Sequence, residues 1–127
     1  MNRDQEITFE ASPLYGQIEI GDRDTTDIPQ WSSGEEPVIS SGSMVCVATQ
    51  PDTAGDVRVT IRSGEDNSVN GSEVFSGEIN LPSGILAVGN SIAAQSEELE
   101  LSPARRLQLR VFVSPIAAPN QITVLLP

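Results

Sequence analysis

Apolar and polar positions alternate along most of this chain. Ile7, Phe9 and Ala11 alternate with polar residues in the first segment, and Ile18 and Ile20 do so in the second. A period of two places successive side chains on opposite faces of a β-strand. No stretch repeats apolar residues at the i, i+3, i+4 and i+7 spacing of an amphipathic helix. The pattern therefore predicts an all-β protein.

About nine segments have the length and composition of strands, and residues typical of turns separate them. Many short strands at this spacing are typical of a two-sheet antiparallel β-sandwich. We expect one domain over residues 1–127, with an aliphatic core. The predicted strands are 6–11, 15–20, 43–49, 57–62, 73–81, 85–88, 97–101, 106–113 and 121–126. The predicted inward-facing residues are Phe9, Ile18, Cys46, Val59, Ile61, Leu107, Leu109 and Val111.

Two segments break the alternation and are predicted to be loops, at about 21–42 and at 63–72. The first is unusually long for a compact domain, which favours a functional role. It contains the only tryptophan, Trp31. Two interpretations stay open for this residue: an aromatic anchor for a partner, or a plug that closes one end of the sandwich.

The same loop holds three aspartates, Asp22, Asp24 and Asp27. Clustered carboxylates are the ligands that calcium prefers, but the spacing, central glycine and closing glutamate of an EF-hand are missing. A solvated acidic loop accounts for the pattern more simply. A calcium- or ligand-binding module is therefore an alternative function, and we expect no metal or other cofactor.

The charged residues exclude several classes of function. The chain has seven arginines, eighteen acids and a net charge of −11, with no lysine and no histidine. Without these two residues, a Ser-His-Asp triad, an imidazole metal site, a Schiff base and a P-loop lysine are all excluded. The excess of acid repels phosphate groups, so we expect the protein to bind neither nucleic acid directly nor an anionic membrane surface. An enzyme with a catalytic pair of carboxylates is not excluded by these absences, but it would need a sizeable cleft, for which 127 residues of short strands leave little room. We therefore predict that the protein is not an enzyme.

Three further features bear on location and assembly. Cys46 is the only cysteine, so no internal disulfide forms, and its apolar neighbours predict a buried, inert thiol. No signal-peptide core or membrane-length apolar run is present, so we expect a cytoplasmic protein. The apolar strand at residues 121–126 would offer a pairing edge for a second copy, which makes a self-assembling structural domain another alternative. A monomer and a homodimer both remain open.

Several acids fall on predicted strands. Glu98 and Glu100 are two residues apart and therefore share one face of their strand. Carboxylates at regular spacing on a rigid sheet can imitate a phosphate backbone for a basic partner. An ordinary solvated face, or an acidic composition suited to a salty cytoplasm, explains the same pattern.

The segment Tyr15-Gly16-Gln17-Ile18-Glu19-Ile20-Gly21-Asp22, followed by a loop with Trp31, resembles an early strand and loop of the competence protein J (ComJ) family. Ser83-Gly84-Ile85, Leu99-Glu100-Leu101-Ser102-Pro103 and the strand from Leu107 to Val113 are similar to later elements of that family. Gly16 stands where the family commonly has His. The resemblance implies a small β-protein that binds and inhibits a DNA-degrading bacterial nuclease.

The predicted partner is therefore a basic protein such as a nuclease. We expect acidic side chains to speed its approach and aromatic side chains to supply affinity. The predicted partner-binding residues are Tyr15, Trp31, Glu35, Glu36, Glu97, Glu98 and Glu100.

Overall fold

A computed structural model describes residues 6–64, 69–90 and 95–127. Its ten strands are β1 Glu6–Ala11, β2 Gln17–Asp22, β3 Val38–Ser40, β4 Met44–Ala48, β5 Val57–Ser63, β6 Ser72–Asn80, β7 Ile85–Asn90, β8 Gln95–Glu100, β9 Arg106–Ser114 and β10 Gln121–Leu126. Two short 3-10 turns, Leu14–Gly16 and Asp52–Ala54, are the only helical elements in the described ranges. The all-β prediction is confirmed.

The strands form two five-stranded sheets. Sheet A has the order β1-β5-β10-β9-β6, and sheet B has the order β3-β4-β2-β7-β8. All pairs are antiparallel except β5 with β10, which run parallel. The predicted two-sheet sandwich is confirmed, with one parallel pair and with one strand more than the nine predicted.

The two sheets share one aliphatic core. Buried side chains from alternate positions of each strand meet between the sheets, where Ile18 and Ile20 of sheet B join Val59 and Ile61 of sheet A. Leu107, Leu109 and Val111 also belong to this cluster, as predicted, and Phe9 on the edge strand β1 is half-buried against it. Burial of these side chains is the main favourable contribution to folding.

The prediction for Cys46 was right about burial and wrong about direction. Val45 and Val47 belong to the core cluster, so Cys46 between them points to the outer face of sheet B. It lies opposite Glu19 on β2 and Ile39 on β3. Burial, and then the nearby Glu19 carboxylate, raise the pKa of the Cys46 thiol to about 12.

The predicted loop at 21–42 is shorter than expected at both ends. β2 continues through Asp22, and Val38–Ser40 forms the edge strand β3 beside β4. The remaining segment, residues 23–37, runs along the outer side of sheet B, and we call it the strap. Of the second predicted loop, residues 65–68 lie outside the described residues.

The prediction that residues 121–126 form an exposed edge was wrong. β10 is the central strand of sheet A, and its backbone groups pair with β5 on one side and β9 on the other. Its apolar character reflects this central position, since Ile122, Val124 and Leu126 enter the core. This strand therefore offers no free edge to a second copy.

In the described ranges, no helix is long and apolar enough to cross a membrane.

Candidate functional site: the outer face of sheet B

Charge is divided unequally between the two sheets. The strands of sheet A carry four glutamates and four arginines, so their charges cancel. The strands of sheet B carry five acids and no arginine, which gives them a net charge of −5. The acids of sheet B are Glu19, Asp22, Glu97, Glu98 and Glu100.

The outer face of sheet A is largely paired across its strands. Arg62 lies 3.3 Å from Glu6, and Arg110 forms an ion pair with Glu73. Arg58 and Glu10 form a looser, exposed pair at 3.9 Å. The Arg110 guanidinium also lies 4.9 Å from the centre of the Phe112 ring, within cation–π range. Sheet A therefore presents a face on which opposite charges largely offset each other.

On sheet B, β8 presents its carboxylates to solvent. Glu98 and Glu100 share one face of β8, as predicted, and because they alternate with Leu99, which is buried in the core, both point to the outer face. Glu97 projects to the same side of β8 as Leu99 but is exposed, since β8 is the edge strand of sheet B among the described residues. The charge of Glu98 also helps to raise the pKa of Arg23, after the hydrogen bond and charge of Asp24.

A groove of about 170 Å³ lies on this face between the strap and β8. Its floor is almost free of side chains, because Gly21, Ala87 and Gly89 occupy successive outward positions on β2 and β7. Glu19 and Ser96 line one part of the groove, while the apolar side chains of Met44 and Ile28 line another. Arg23 of the strap lines it as well, so the groove combines groups of both charges and a hydroxyl with apolar surface.

Backbone packing requires the two glycines of this floor. A Cβ on Gly21 would lie 2.6 Å from the Ser43 carbonyl oxygen. Gly89 has a φ of +147°, and a Cβ there would lie 2.1 Å from the Gln95 carbonyl oxygen. The close approach of neighbouring backbones thus accounts for the bare floor.

Trp31 holds the strap against the beginning of β2. Its indole nitrogen donates a 2.9 Å hydrogen bond to the side-chain oxygen of Gln17, and the ring is half-buried. At the opposite end of the strap, the amide of Gly42 donates to the Asp27 carboxylate at 3.1 Å. The structure therefore favours the interpretation of Trp31 as a side chain that packs on its own protein.

Glu36 organises the turn at the end of the strap. Its carboxylate accepts hydrogen bonds from the Ser33 hydroxyl at 2.7 Å and from the Ser32 amide at 2.8 Å. These hydrogen bonds lower the pKa of Glu36 to about 2. Glu35, in contrast, is exposed. Both carboxylates lie beside Pro37, which pairs with Ala48 at the Gln17 end of sheet B.

The three aspartates proposed as calcium ligands each take part in the chain's own hydrogen bonds. Asp22 accepts from the amide and the hydroxyl of Ser83 at 2.9 and 2.6 Å, and Asp24 pairs with Arg23 at 3.2 Å. Burial raises the pKa of Asp22, but the hydrogen bonds from Ser83 and Asp24 outweigh it and leave the pKa below its ordinary value. In the part of the chain that the structure describes, no three metal-ligating side chains converge.

Tyr15 lies at the corner between β1 and β2. Its side chain is 82% exposed, and its backbone adopts a left-handed conformation with a φ of 61°. This conformation is uncommon for a bulky residue, and exposure of an aromatic ring leaves its apolar surface in water. Both features make Tyr15 a candidate contact for a partner.

Most of the predicted site residues lie along sheet B, in two separate groups. Tyr15, Trp31, Glu35 and Glu36 lie near the Gln17 end of β2, whereas Glu98 and Glu100 lie toward its Asp22 end, ~17 Å away along the strand. Sequence reasoning placed Glu19 on an outer face but did not include it among the partner-binding residues, and it did not predict the groove. A glycine within a strand, such as Gly21 two residues after Glu19, signals a close approach of neighbouring backbones. This signal could have indicated the groove.

Comparisons with known proteins bear on the fold. No family model matches the chain, and no curated protein matches it either. The crystal structure of ComJ, an inhibitor of the DNA-degrading activity of NucA from Bacillus subtilis, superposes with a TM-score of 0.75 at 13% identity, covering 98% of each chain. A structure described as crocagin biosynthetic gene J gives a TM-score of 0.46 at 16% identity, covering 94% of each chain. The resemblance to ComJ inferred from Tyr15, Gln17 and Trp31 thus extends to the whole fold, and this chain is a β-sandwich of the kind seen in ComJ.

Proposed function

We propose that this chain is an acidic, non-catalytic protein-binding domain of the bacterial cytoplasm that inhibits a DNA-degrading nuclease by covering its DNA-binding cleft. The observation that carries the proposal is the division of charge between the sheets. An acidic composition retained only for solubility would leave an excess of acid on both sheets. Instead, the strands of sheet A are neutral and those of sheet B carry −5.

The likeness to ComJ supports the class of partner. ComJ is an inhibitor of the DNA-degrading activity of NucA, and the two folds match over nearly their full lengths. A fold can host unrelated functions, so the likeness alone does not carry the proposal. It gains weight because a nuclease cleft that binds phosphates is basic, which makes it complementary to sheet B.

The proposed roles of the side chains follow from their positions. The exposed carboxylates Glu97, Glu98, Glu100 and Glu35 accelerate the approach of a basic surface, because long-range attraction raises the association rate. Glu36 contributes its charge while it also holds the turn of the strap. The exposed ring of Tyr15 and the half-buried ring of Trp31 contribute apolar contact area.

Affinity capture from a lysate of the native organism tests this function. The bait is the tagged full chain, and the captured protein is assayed for degradation of plasmid DNA with increasing amounts of free inhibitor. We expect a basic nuclease whose activity falls to the background once the inhibitor is in stoichiometric excess. A captured protein without nuclease activity, or a nuclease that keeps its activity when saturated, would contradict the proposal.

The rate of association supplies a second test. Electrostatic attraction across solvent is screened by salt, so the association rate should fall steeply between low and physiological ionic strength. The dissociation rate should change less, because it depends on groups already in contact. An association rate that does not change with salt would remove the proposed role of the acidic side chains.

A further inference from the structure

We infer that the outer face of sheet B is the docking surface, and that its groove receives one basic side chain of the partner. This inference rests on the proposed function for the identity of the partner, but its chemistry can be tested without that partner. It follows from the charge of the face, the shape of the groove and the composition of its walls.

The charge of the face selects a cationic occupant. Glu19 on β2 lines the groove, and Glu98 and Glu100 stand two residues apart on β8, which β7 separates from β2. Arg23 also lines the groove, but its guanidinium forms an ion pair with Asp24 at 3.2 Å, so its positive charge is offset there. A basic side chain entering here therefore meets a negative field, whereas an acidic one is repelled.

The groove also has the shape and polarity of a long basic side chain. Arginine and lysine have an apolar stem and a charged end, and they bury the stem along apolar surface while the charge stays hydrated or paired. Ile28, Met44 and Ala87 supply apolar surface, and the carboxylate of Glu19 with the hydroxyl of Ser96 supplies acceptors. Gly21 and Gly89 line the groove without a side chain, so the stem can lie against the backbone there.

Sheet A does not offer the same surface. Its outer face places arginines beside glutamates on adjacent strands, as in the pairs Glu6–Arg62 and Glu73–Arg110. A basic partner would meet as many positive as negative strand residues on that side. This contrast provides an internal control, because equal charge changes can be introduced on the two faces.

The first experiment uses a probe that needs no nuclease. The amide-capped peptide acetyl-Gly-Arg-Gly is titrated into ¹⁵N-labelled full chain, with acetyl-Gly-Gln-Gly as the uncharged control. We expect saturable shifts of the Gly21, Ala87, Gly89 and Ser96 amides with the arginine peptide alone. Glu19→Gln should weaken the binding several-fold, and Ala87→Leu, which fills the groove but keeps the charge, should abolish it.

Three results would contradict the proposal that the groove receives a basic side chain. They are shifts that map to sheet A, equal shifts with the glutamine peptide, and unchanged binding in a correctly folded Ala87→Leu variant. The amide spectrum of each variant reports whether it is folded, so loss of binding through unfolding is recognised. If Glu19→Gln proves unstable, Ala87→Leu still decides the question, because it leaves every acid in place.

The second experiment compares the two faces in the complex. Glu98→Arg with Glu100→Arg reverses two charges on sheet B, and Glu10→Arg with Glu78→Arg reverses two exposed charges on sheet A. We expect the first pair to weaken inhibition at least roughly tenfold and the second by no more than about twofold. A larger effect on sheet A would overturn the docking surface while leaving the inhibitory function intact. Binding of the arginine peptide without capture of any nuclease would support the groove and contradict the inhibitory function.

Discussion

The indole nitrogen of Trp31 and the side-chain oxygen of Gln17 are joined by a hydrogen bond of 2.9 Å across the strap and β2. Two of the three residues that carried the family resemblance therefore touch each other, and the third, Tyr15, is two positions before Gln17. The bond joins a 15-residue strap with few apolar side chains to a rigid strand. This contact explains how a long polar segment is held over the sheet without a core of its own.

Replacing Gln17 by Met should test the contact. The change keeps most of the side-chain volume but removes the acceptor, so the half-buried indole N–H loses its partner. We expect the free energy of unfolding to fall by about 1 to 2 kcal/mol in urea denaturation. In a double-mutant cycle with Trp31→Phe, the two losses should be coupled by about 1 kcal/mol. Additive losses would mean that the bond does not stabilise the strap.

Glu36 should titrate far below an ordinary glutamate. Its pKa of about 2 arises from hydrogen bonds donated by the Ser33 hydroxyl and the Ser32 amide. An NMR titration of the side-chain carboxyl should therefore show a midpoint near that value. Ser33→Ala removes the largest contribution and should move the midpoint upward. An unchanged midpoint in that variant would assign the low pKa to another cause.

Much of the fold followed from alternation because most strands have one wet face. Val57, Val59 and Ile61 are buried while Arg58 and Arg62 are outward, and the same rule holds for β9 as far as Val111. The rule fails where both faces are covered. β4 is buried at four consecutive positions, so burial does not distinguish its two faces, and the direction of Cys46 could not be predicted from the sequence.

Other features depend on contacts between distant segments. The alternation of apolar and polar residues indicates a strand but not its place in a sheet. It therefore could not predict that β10 lies at the centre of sheet A or that it pairs in parallel with β5. β3 is only three residues long and is defined by its pairing with β4, so local sequence could not separate it from the loop. The division of charge between the sheets likewise became visible only once the strand order was known.

Gly21→Ala should destabilise the protein more than an ordinary glycine replacement. The new methyl would meet the Ser43 carbonyl oxygen at 2.6 Å and the Met44 Cα at 3.0 Å, and both are backbone atoms of the paired strand. We expect a loss of about 2 kcal/mol or more by thermal unfolding. Gly42→Ala is the matched control, because its nearest neighbours are side-chain ends at 3.4 and 3.5 Å. Equal losses in the two variants would show that β2 and β4 can separate to admit the methyl.

Tyr15→Asn should separate binding from stability. Asn tolerates the left-handed backbone at φ 61° better than Tyr, and the ring that is removed is 82% exposed. We expect the free energy of unfolding to stay within about 0.5 kcal/mol of the parent. Inhibition of the captured nuclease should weaken severalfold if the ring contacts the partner. Unchanged inhibition would place Tyr15 outside the interface.

The Cys46 thiol should make stability fall at alkaline pH. Burial, and then Glu19, raise its pKa to about 12 in the folded protein, whereas an unfolded thiol has a pKa near 8.5. Above about pH 8.5 the unfolded chain releases this proton and the folded chain keeps it, so the free energy of unfolding declines by up to about 1.4 kcal/mol per pH unit until the folded pKa is reached. The Cys46→Ala variant has no thiol proton to release. Urea unfolding of both proteins at pH 8 and pH 10 should therefore show that the free energy of unfolding falls more in the parent than in the variant.

The same burial predicts that a thiol reagent labels the native protein slowly at pH 8 and the urea-unfolded protein at once. Rapid labelling of the native state, or parallel pH profiles in the two proteins, would show that the outer face of sheet B is open at Cys46.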